Sequence, residues 1–320
     1  MKALVTGATG FIGSHLCEEL IRKGYEIVCL IRKTSDLKWI ENLDIKLTTG
    51  DCTSMESLRD SVIGFDYIFH LAGLTKARSE DDFFCINAKG TENLIQAVAE
   101  KNPMIKRFVY LSSLAAVGPS KDGIPLKESS SPSPVSSYGR SKLEGENAVL
   151  KYKDSIPVTI IRSPAVYGPR DRDLFVFFKL LKKGIFPYWG KCYYSLLYID
   201  DLVRGIILCA ENKEAEGKIY FLSDSRFYTN EEIAKEISSA LNTKVMYLRV
   251  PRFIMPFFAF IWERMNKQDI INRDKMKELN YSYWICDAKK AREELGFTPE
   301  VGIKEGVRWT VEWYRIHRWL

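Results

Sequence analysis

Tyr138 and Lys142 stand four residues apart in Tyr138-Gly139-Arg140-Ser141-Lys142, inside a stretch patterned as helix. That spacing places both side chains on one helical face, about one turn apart. An ammonium beside a phenol favours the phenolate, so the lysine is expected to lower the tyrosine pKa toward working pH and suit it to general acid/base chemistry. A second chemical pattern opens the chain. Gly7, Gly10 and Gly13 follow a short apolar run, Ala3 to Val5, and introduce a helical pattern carrying Phe11, Ile12, Leu16 and Leu20. Strand, glycine turn and helix form a cradle for a dinucleotide. Glycines allow close approach of backbone to pyrophosphate, and the helix N-terminus offers free N–H groups and a positive dipole end. The spacing is Gly-x-x-Gly-x-x-Gly, not the commoner Gly-x-Gly-x-x-Gly. Either pattern alone arises by chance; together, at opposite ends of one sheet-forming region, they point to one nucleotide-dependent site.

The elements that must position these groups alternate regularly. Apolar strands are expected near 2–6, 25–30, 45–48, 66–70, 106–112 and 157–162, with helices at 11–23, 54–62, 83–101 and 137–152. This alternation predicts an α/β fold of Rossmann type, a doubly wound parallel sheet with helices on both faces. Ligands of such sheets bind at the C-terminal ends of the strands, where Gly7, Asp51, Leu71 and Ser113 fall. Residues 1–165 read as the nucleotide-binding domain, with a return strand near 218–222. Residues 166–320 read as a smaller, mostly helical substrate lobe, helical at Arg170–Lys183 and Val203–Glu211. Within it, Thr229-Asn-Glu-Glu232 is a capping box for a helix reaching Leu241, Asp287 caps a short helix ending at Gly296, and Lys304–Trp319 is amphipathic. The Pro- and Ser-rich segment Gly118–Ser137 borders the site, because its two ends carry Ser113 and Tyr138.

Read in order, Thr6-Gly-x-x-Gly-x-x-Gly13, Asp51-Cys52, Phe69-His70-Leu71-Ala72-Gly73, Asn87-Ala88-Lys89-Gly90-Thr91, Phe108 to Ser113, Tyr138-x-x-x-Lys142 and Tyr198-Ile199-Asp200-Asp201-Leu202 resemble the extended short-chain dehydrogenase/reductase superfamily, and more narrowly its NAD-dependent epimerase/dehydratase family. The resemblance covers nearly the whole chain. It implies Ser113 as the hydroxyl, Tyr138 as the acid/base and Lys142 as its activator. Ser112 is the neighbouring alternative, and strand alternation turns only one of the two into the site. It also implies cofactor contacts at Gly7, Thr9, Gly10, Phe11, Ile12, Gly13, Arg32, Asp51, Cys52, Leu71, Ala72, Gly73, Tyr138, Lys142, Pro164 and Val166. Substrate contacts are implied at Ser113, Leu114, Tyr138 and Arg170, and a homodimer pairing through helices like 83–101 and 137–152.

Cofactor and substrate choice turn on smaller signals. The second strand ends Ile31-Arg32 where an NAD enzyme usually carries Asp or Glu, so a guanidinium for a 2′-phosphate favours NADP(H), with NAD(H) the alternative. Leu114-Ala115 replaces the Asp-Glu of family sugar dehydratases, which argues against sugar dehydration. Arg162-Ser163-Pro164-Ala165-Val166-Tyr167-Gly168-Pro169 resembles the hydroxysteroid dehydrogenase and dihydroflavonol reductase branches, where many sugar-nucleotide enzymes have Asn at the Pro164 position. The expected reaction is hydride transfer between nicotinamide and an apolar ketone or secondary alcohol. A nucleotide-sugar epimerase with retained NAD is the alternative, with Arg170 and Arg172 facing a diphosphate or pairing with Asp171 and Asp173. A non-catalytic nucleotide sensor is disfavoured by the intact Ser113, Tyr138 and Lys142. Val250 to Trp262 is apolar and flanked by Arg249, Arg252, Arg264 and Lys267; it is a substrate lid, an interfacial membrane contact or a core helix, and is too short to span a bilayer.

Composition bounds the remainder. The chain has 320 residues, 46% hydrophobic and 28% charged, with net charge +6. Its cations are dispersed, so no stripe suggests nucleic acid. Seven cysteines, none in a Cys-x-x-Cys pair, read as reduced thiols of a cytoplasmic protein. Three histidines leave little for a metal site, and His70 reads as a packing residue.

Overall fold

The computed structural model describes residues 1–251 and 273–320. Its elements, in chain order, begin with β1 (Lys2–Thr6), α1 (Phe11–Arg22), β2 (Glu26–Ile31), β3 (Lys46–Thr49), α2 (Met55–Arg59) and β4 (Tyr67–His70). Then come α3 (Glu80–Phe83), which runs through a π-helical segment, Phe84–Lys89, into α4 (Gly90–Lys101), followed by β5 (Arg107–Ser113), α5 (Ser137–Leu150) and β6 (Val158–Ser163). The later elements are β7 (Ala165–Tyr167), α6 (Phe175–Lys182), β8 (Ile185–Tyr188), β9 (Tyr193–Tyr198), α7 (Ile199–Glu211), β10 (Lys218–Phe221), β11 (Phe227–Thr229), α8 (Asn230–Leu241), β12 (Met246–Arg249), α9 (Arg273–Leu279), β13 (Tyr283–Trp284), α10 (Lys289–Leu295) and α11 (Ile303–Ile316).

Seven strands form one sheet in the order β10-β6-β5-β4-β1-β2-β3, and every pairing in it is parallel. A parallel sheet must be covered on both faces, and the alternation of side chains shows that it is. Ala3 and Val5 of β1 pack with Leu16 and Leu20 of α1 and Ile206 of α7 on one face. Leu4 packs with Leu94 and Val98 of α4 and Val149 of α5 on the other. The strand order reverses between β1 and β4, which opens a crevice above their C-terminal ends.

Beyond β6 the chain adds a second, four-stranded sheet built on β9, which pairs with β7, β11 and β13, and a β8–β12 pair. The capping box at Thr229 and Glu232 forms and opens α8. Asp287 meets α10 by accepting from Lys289 N–H, although Ala288 is its cap, and Gly296 closes it at φ +70°. The stretch from Arg170, expected to be helical, starts as a loop: Arg170 is left-handed (φ 71°), and the buried Asp171 carboxylate accepts from the N–H groups of Asp173 and Leu174 before α6 begins. Near the C-terminus Trp313 and Trp319 pack on Trp39 of the β2–β3 connection, with ring centroids 5.6 and 6.4 Å away. No described helix is long and apolar enough to cross a membrane.

Candidate active site

β5 ends at Ser113, and a single 3₁₀ turn, Leu114–Ala116, follows it. Strand alternation separates the two serines. Ser112 is buried and donates to Glu146 at 2.5 Å, whereas Ser113 stays part-exposed, accepts from Ala115 N–H at 3.1 Å, and is near enough to the Tyr138 phenol to lower its pKa. Gly139 lets the first turn of α5 lie directly on the turn after Ser113, since a Cβ there would come within 2.3 Å of the Ala115 carbonyl oxygen. Lys142, one turn further on, is 5% exposed. Its Nζ donates to the Leu111 carbonyl at 2.7 Å and lies 4.2 Å from the centre of the Tyr110 ring. The structure thus sets Tyr138 beside Ser113 at the end of β5 and anchors Lys142, one turn along α5, to the same strand through Leu111.

The electrostatics differ from the sequence expectation. Burial pushes the Tyr138 phenol up to about 12, opposed by Ser113 and by Lys275, and reinforced by Glu278 and Asp173. Burial also drives Lys142 down to about 7, with Glu146 partly restoring its charge. Loss of water acts on both groups and outweighs their proximity, so in the protein alone the lysine does not depress the phenol.

Glu146 was not picked out as a site residue in the sequence. It continues the Tyr138–Lys142 face by one more turn and is 1% exposed. Arg162 of β6 grips it through Nε (3.0 Å) and Nη2 (2.7 Å), forming a buried fork beneath Lys142. Asn87, fully buried in the π-helical segment, accepts from Leu74 N–H at 2.7 Å and donates to the Leu74 carbonyl (3.0 Å) and to Ser141 Oγ (2.9 Å). It therefore ties the loop after β4 to α5. His70 is a packing bridge, fully buried between Thr6 Oγ1 (2.7 Å) and Thr91 Oγ1 (2.9 Å), and burial lowers it to about 3.

Across the crevice the glycine turn has the shape of a dinucleotide cradle. Gly7 has φ +71°, and a Cβ there would meet the Ala72 backbone nitrogen at 2.7 Å. One on Gly13 would meet the Gly7 carbonyl oxygen at 2.1 Å, so both positions require glycine. Gly10 caps α1 without a side-chain bond, which leaves the first-turn N–H groups directed at the crevice. Thr9, Phe11, Ile12, Leu71, Ala72 and Gly73 all keep surface open around it. Ala72 N–H donates to Thr6 Oγ1, which fixes the β4 loop beside the turn, and a Cβ on Gly73 would lie 3.8 Å from Lys142 Nζ. Arg32 is exposed beyond β2, and its charge reaches Cys52, which with Asp51 follows β3. These residues are compatible with a nicotinamide dinucleotide laid from Arg32 to Lys142. Val166 is half-buried in β7, Pro164 is buried before it, and Leu114 is buried at the end of β5.

Arg170 corrects the sequence reading. Its guanidinium pairs with Glu18 and donates to Ser14 Oγ at 3.1 Å on α1, and it lies over Trp39. Glu18, not Asp171 or Asp173, is thus its ion-pair partner. Arg172 lies over Trp319, and Asp173 pairs with Lys76 at 2.8 Å, so neither arginine pairs with Asp171 or Asp173. Of the 250–262 run, residues 252–262 lie outside the described residues.

Fold and site define a Rossmann-type nucleotide-dependent enzyme. The model of the NAD dependent epimerase/dehydratase family matches residues 3–222, and the chain belongs to that family, within the extended short-chain dehydrogenase/reductase superfamily. It is similar to the uncharacterized UDP-glucose epimerase YtcB of Bacillus subtilis, 34% identical over 96% of each chain. It is also similar to a ceramide reductase of Caulobacter vibrioides, 28% identical over 99% of this chain and 95% of the relative. Among solved structures, a dTDP-glucose 4,6-dehydratase of Streptomyces venezuelae with NAD and TYD bound has a TM-score of 0.80 at 26% identity, over 99% of this chain and 98% of the other. The protein is thus an oxidoreductase or epimerase of an NAD-dependent family.

Proposed function

We propose that the protein is an NADP(H)-preferring oxidoreductase that interconverts a ketone and a secondary alcohol on an apolar, lipid-like substrate. The observation that carries this reading is the placement of part-exposed Ser113 at the end of β5 against the first turn of α5, which carries Tyr138, with Lys142 one turn further on and next to the Gly73 loop of the cradle. Bound nicotinamide supplies or accepts the hydride. Tyr138 protonates the oxyanion as it develops, and Ser113 donates a hydrogen bond to the same oxygen. Lys142 holds the nicotinamide ribose. Burial keeps the Tyr138 phenol protonated at neutral pH, so the proton that the reducing direction needs is in place. Exposed Arg32 supports a 2′-phosphate, and buried Leu114 and Pro164, with the ceramide reductase relative, support an apolar substrate. The 250–262 run is proposed to meet the lipid phase that supplies it, and a second copy to pair along α4 and α5.

A second reading, a nucleotide-sugar epimerase that retains NAD, is favoured by the 34% identical relative named as a UDP-glucose epimerase. Native mass spectrometry of the purified protein separates the two. The proposal expects a site that is empty or exchanges freely and prefers NADPH, turnover of a long-chain 3-keto ester, and loss of that turnover in Tyr138→Phe with nucleotide binding nearly intact. Firmly held NAD with turnover of UDP-sugars alone would replace it by the epimerase.

A further inference from the structure

The first turn of α5 presents three backbone N–H groups, at Ser137, Tyr138 and Gly139, that no carbonyl of the helix can reach. The local cap meets only one of them: Gly139 donates to Ser136 Oγ at 3.0 Å. The other two are met from the far end of the chain. Ser137 N–H donates to Asp274 Oδ1 at 2.7 Å, and Tyr138 N–H to Asp274 Oδ2 at 2.9 Å. Asp274 is 7% exposed and lies in the first turn of α9. One turn later Glu278, 5% exposed, accepts from the Ser136 hydroxyl at 2.8 Å, and its own carbonyl is held by Trp284 Nε1 at 3.0 Å. Lys277 lies 3.4 Å from Asp274, and Lys275 2.6 Å from Glu278. A carboxylate spanning two N–H groups at a helix start gains from charge-assisted bonding and from the helix dipole. Nothing in the proposed hydride transfer requires it.

We infer that Asp274 is the positioning residue for Tyr138, setting the rotation of the first turn of α5 and hence the line along which the phenol meets Ser113. Tyr138 is held by its backbone, its N–H bound to Asp274, while its phenol is buried beside Ser113. The turn between them packs against the Ala115 carbonyl with no spare room, so a change at one end is felt at the other. Acid/base catalysis is sensitive to sub-ångström placement, which gives a backbone contact leverage over turnover. α9 lies beyond the nucleotide-binding sheet, next to β13, so Tyr138 is in place only when this later part of the chain is docked on α5.

The inference rests on Tyr138 being the acid/base, and the test keeps the two claims apart. Asp274→Ala and Asp274→Asn are made in the full chain and studied with NADPH. Amide hydrogen exchange of residues 136–140 needs no substrate. The expected result is faster exchange at Ser137 and Tyr138 in Asp274→Ala and an intermediate rate in Asp274→Asn, which keeps one acceptor. In reduction of a long-chain 3-keto ester, kcat falls by about tenfold or more in Asp274→Ala, with KM and NADPH affinity held within about twofold. Unchanged exchange in the folded variant, unchanged kcat, or a rise in KM alone would overturn it. If no ketone is turned over, the function reading fails and exchange alone decides the inference; if the alanine variant does not fold, the near-isosteric asparagine decides it.

Discussion

Lys142 carries the largest consequence at the level of single residues. Burial holds it at about 7 against an ordinary 10.5, so between those values the unfolded chain binds more protons than the folded one. Stability therefore rises with pH across that window, and the deficit is full below about pH 7. Tyr138, raised from 10 to about 12, acts in the adjoining window with the opposite sign: its contribution is present below pH 10 and is lost as pH rises through 12. Replacing Lys142 with Met should stabilise the nucleotide-free protein by up to about 5 kcal/mol at pH 6, less whatever its bond to the Leu111 carbonyl contributes, and by much less at pH 10. Urea unfolding at both pH values reads this directly, and a gain independent of pH would remove desolvation as the cause. The Tyr138–Lys142 spacing was legible because it is a pattern of types along one helix face. The direction of the tyrosine shift was not, because spacing carries no information on how deeply water is excluded. The ion pair of Arg170 was hidden for a related reason: it stands beside aspartates in sequence but pairs with Glu18, 152 positions away.

At the level of elements, the Ser112–Glu146–Arg162 cluster pins α5 to β5 and β6 with groups that are almost wholly buried. Removing one partner strands the other's charge. Arg162→Leu should therefore cost about 3–5 kcal/mol, while Arg162→Leu with Glu146→Met should recover most of it. Chemical denaturation of the two singles and the double checks this; a double as unstable as the sum of the singles would show independent packing losses instead. The strands of the main sheet could be read because each is an apolar run followed by a helix-period pattern. The second sheet was not seen: β7 and β11 have three residues and β13 two, too short to display a period of two. α9 was missed as well. Its segment, Arg-Asp-Lys-Met-Lys-Glu-Leu, has no apolar stripe, because two of its inward positions are carboxylates engaged with the start of α5.

Across the whole molecule, contacts distant in sequence close the structure around the crevice. α9 reaches back to α5, Asp201 at the start of α7 accepts from the N–H groups of Glu300 and Val301, and Tyr314 of α11 donates to the Asp171 carbonyl at 2.8 Å. Sequence periodicity is local and shows none of these. The indoles joining the C-terminal segment to the β2–β3 connection have a spectroscopic consequence. Trp39, Trp313 and Trp319 form one chromophore group, with Trp39 in the β2–β3 connection that begins at Arg32. Indole emission overlaps the absorption of a reduced nicotinamide, so titrating NADPH should quench the intrinsic fluorescence and raise sensitised emission from the dinucleotide. Trp39→Phe should weaken that signal with affinity unchanged, and constant indole emission at saturating NADPH would place the nucleotide elsewhere. The protein thus contains a built-in optical gauge of occupancy that needs no substrate and no label.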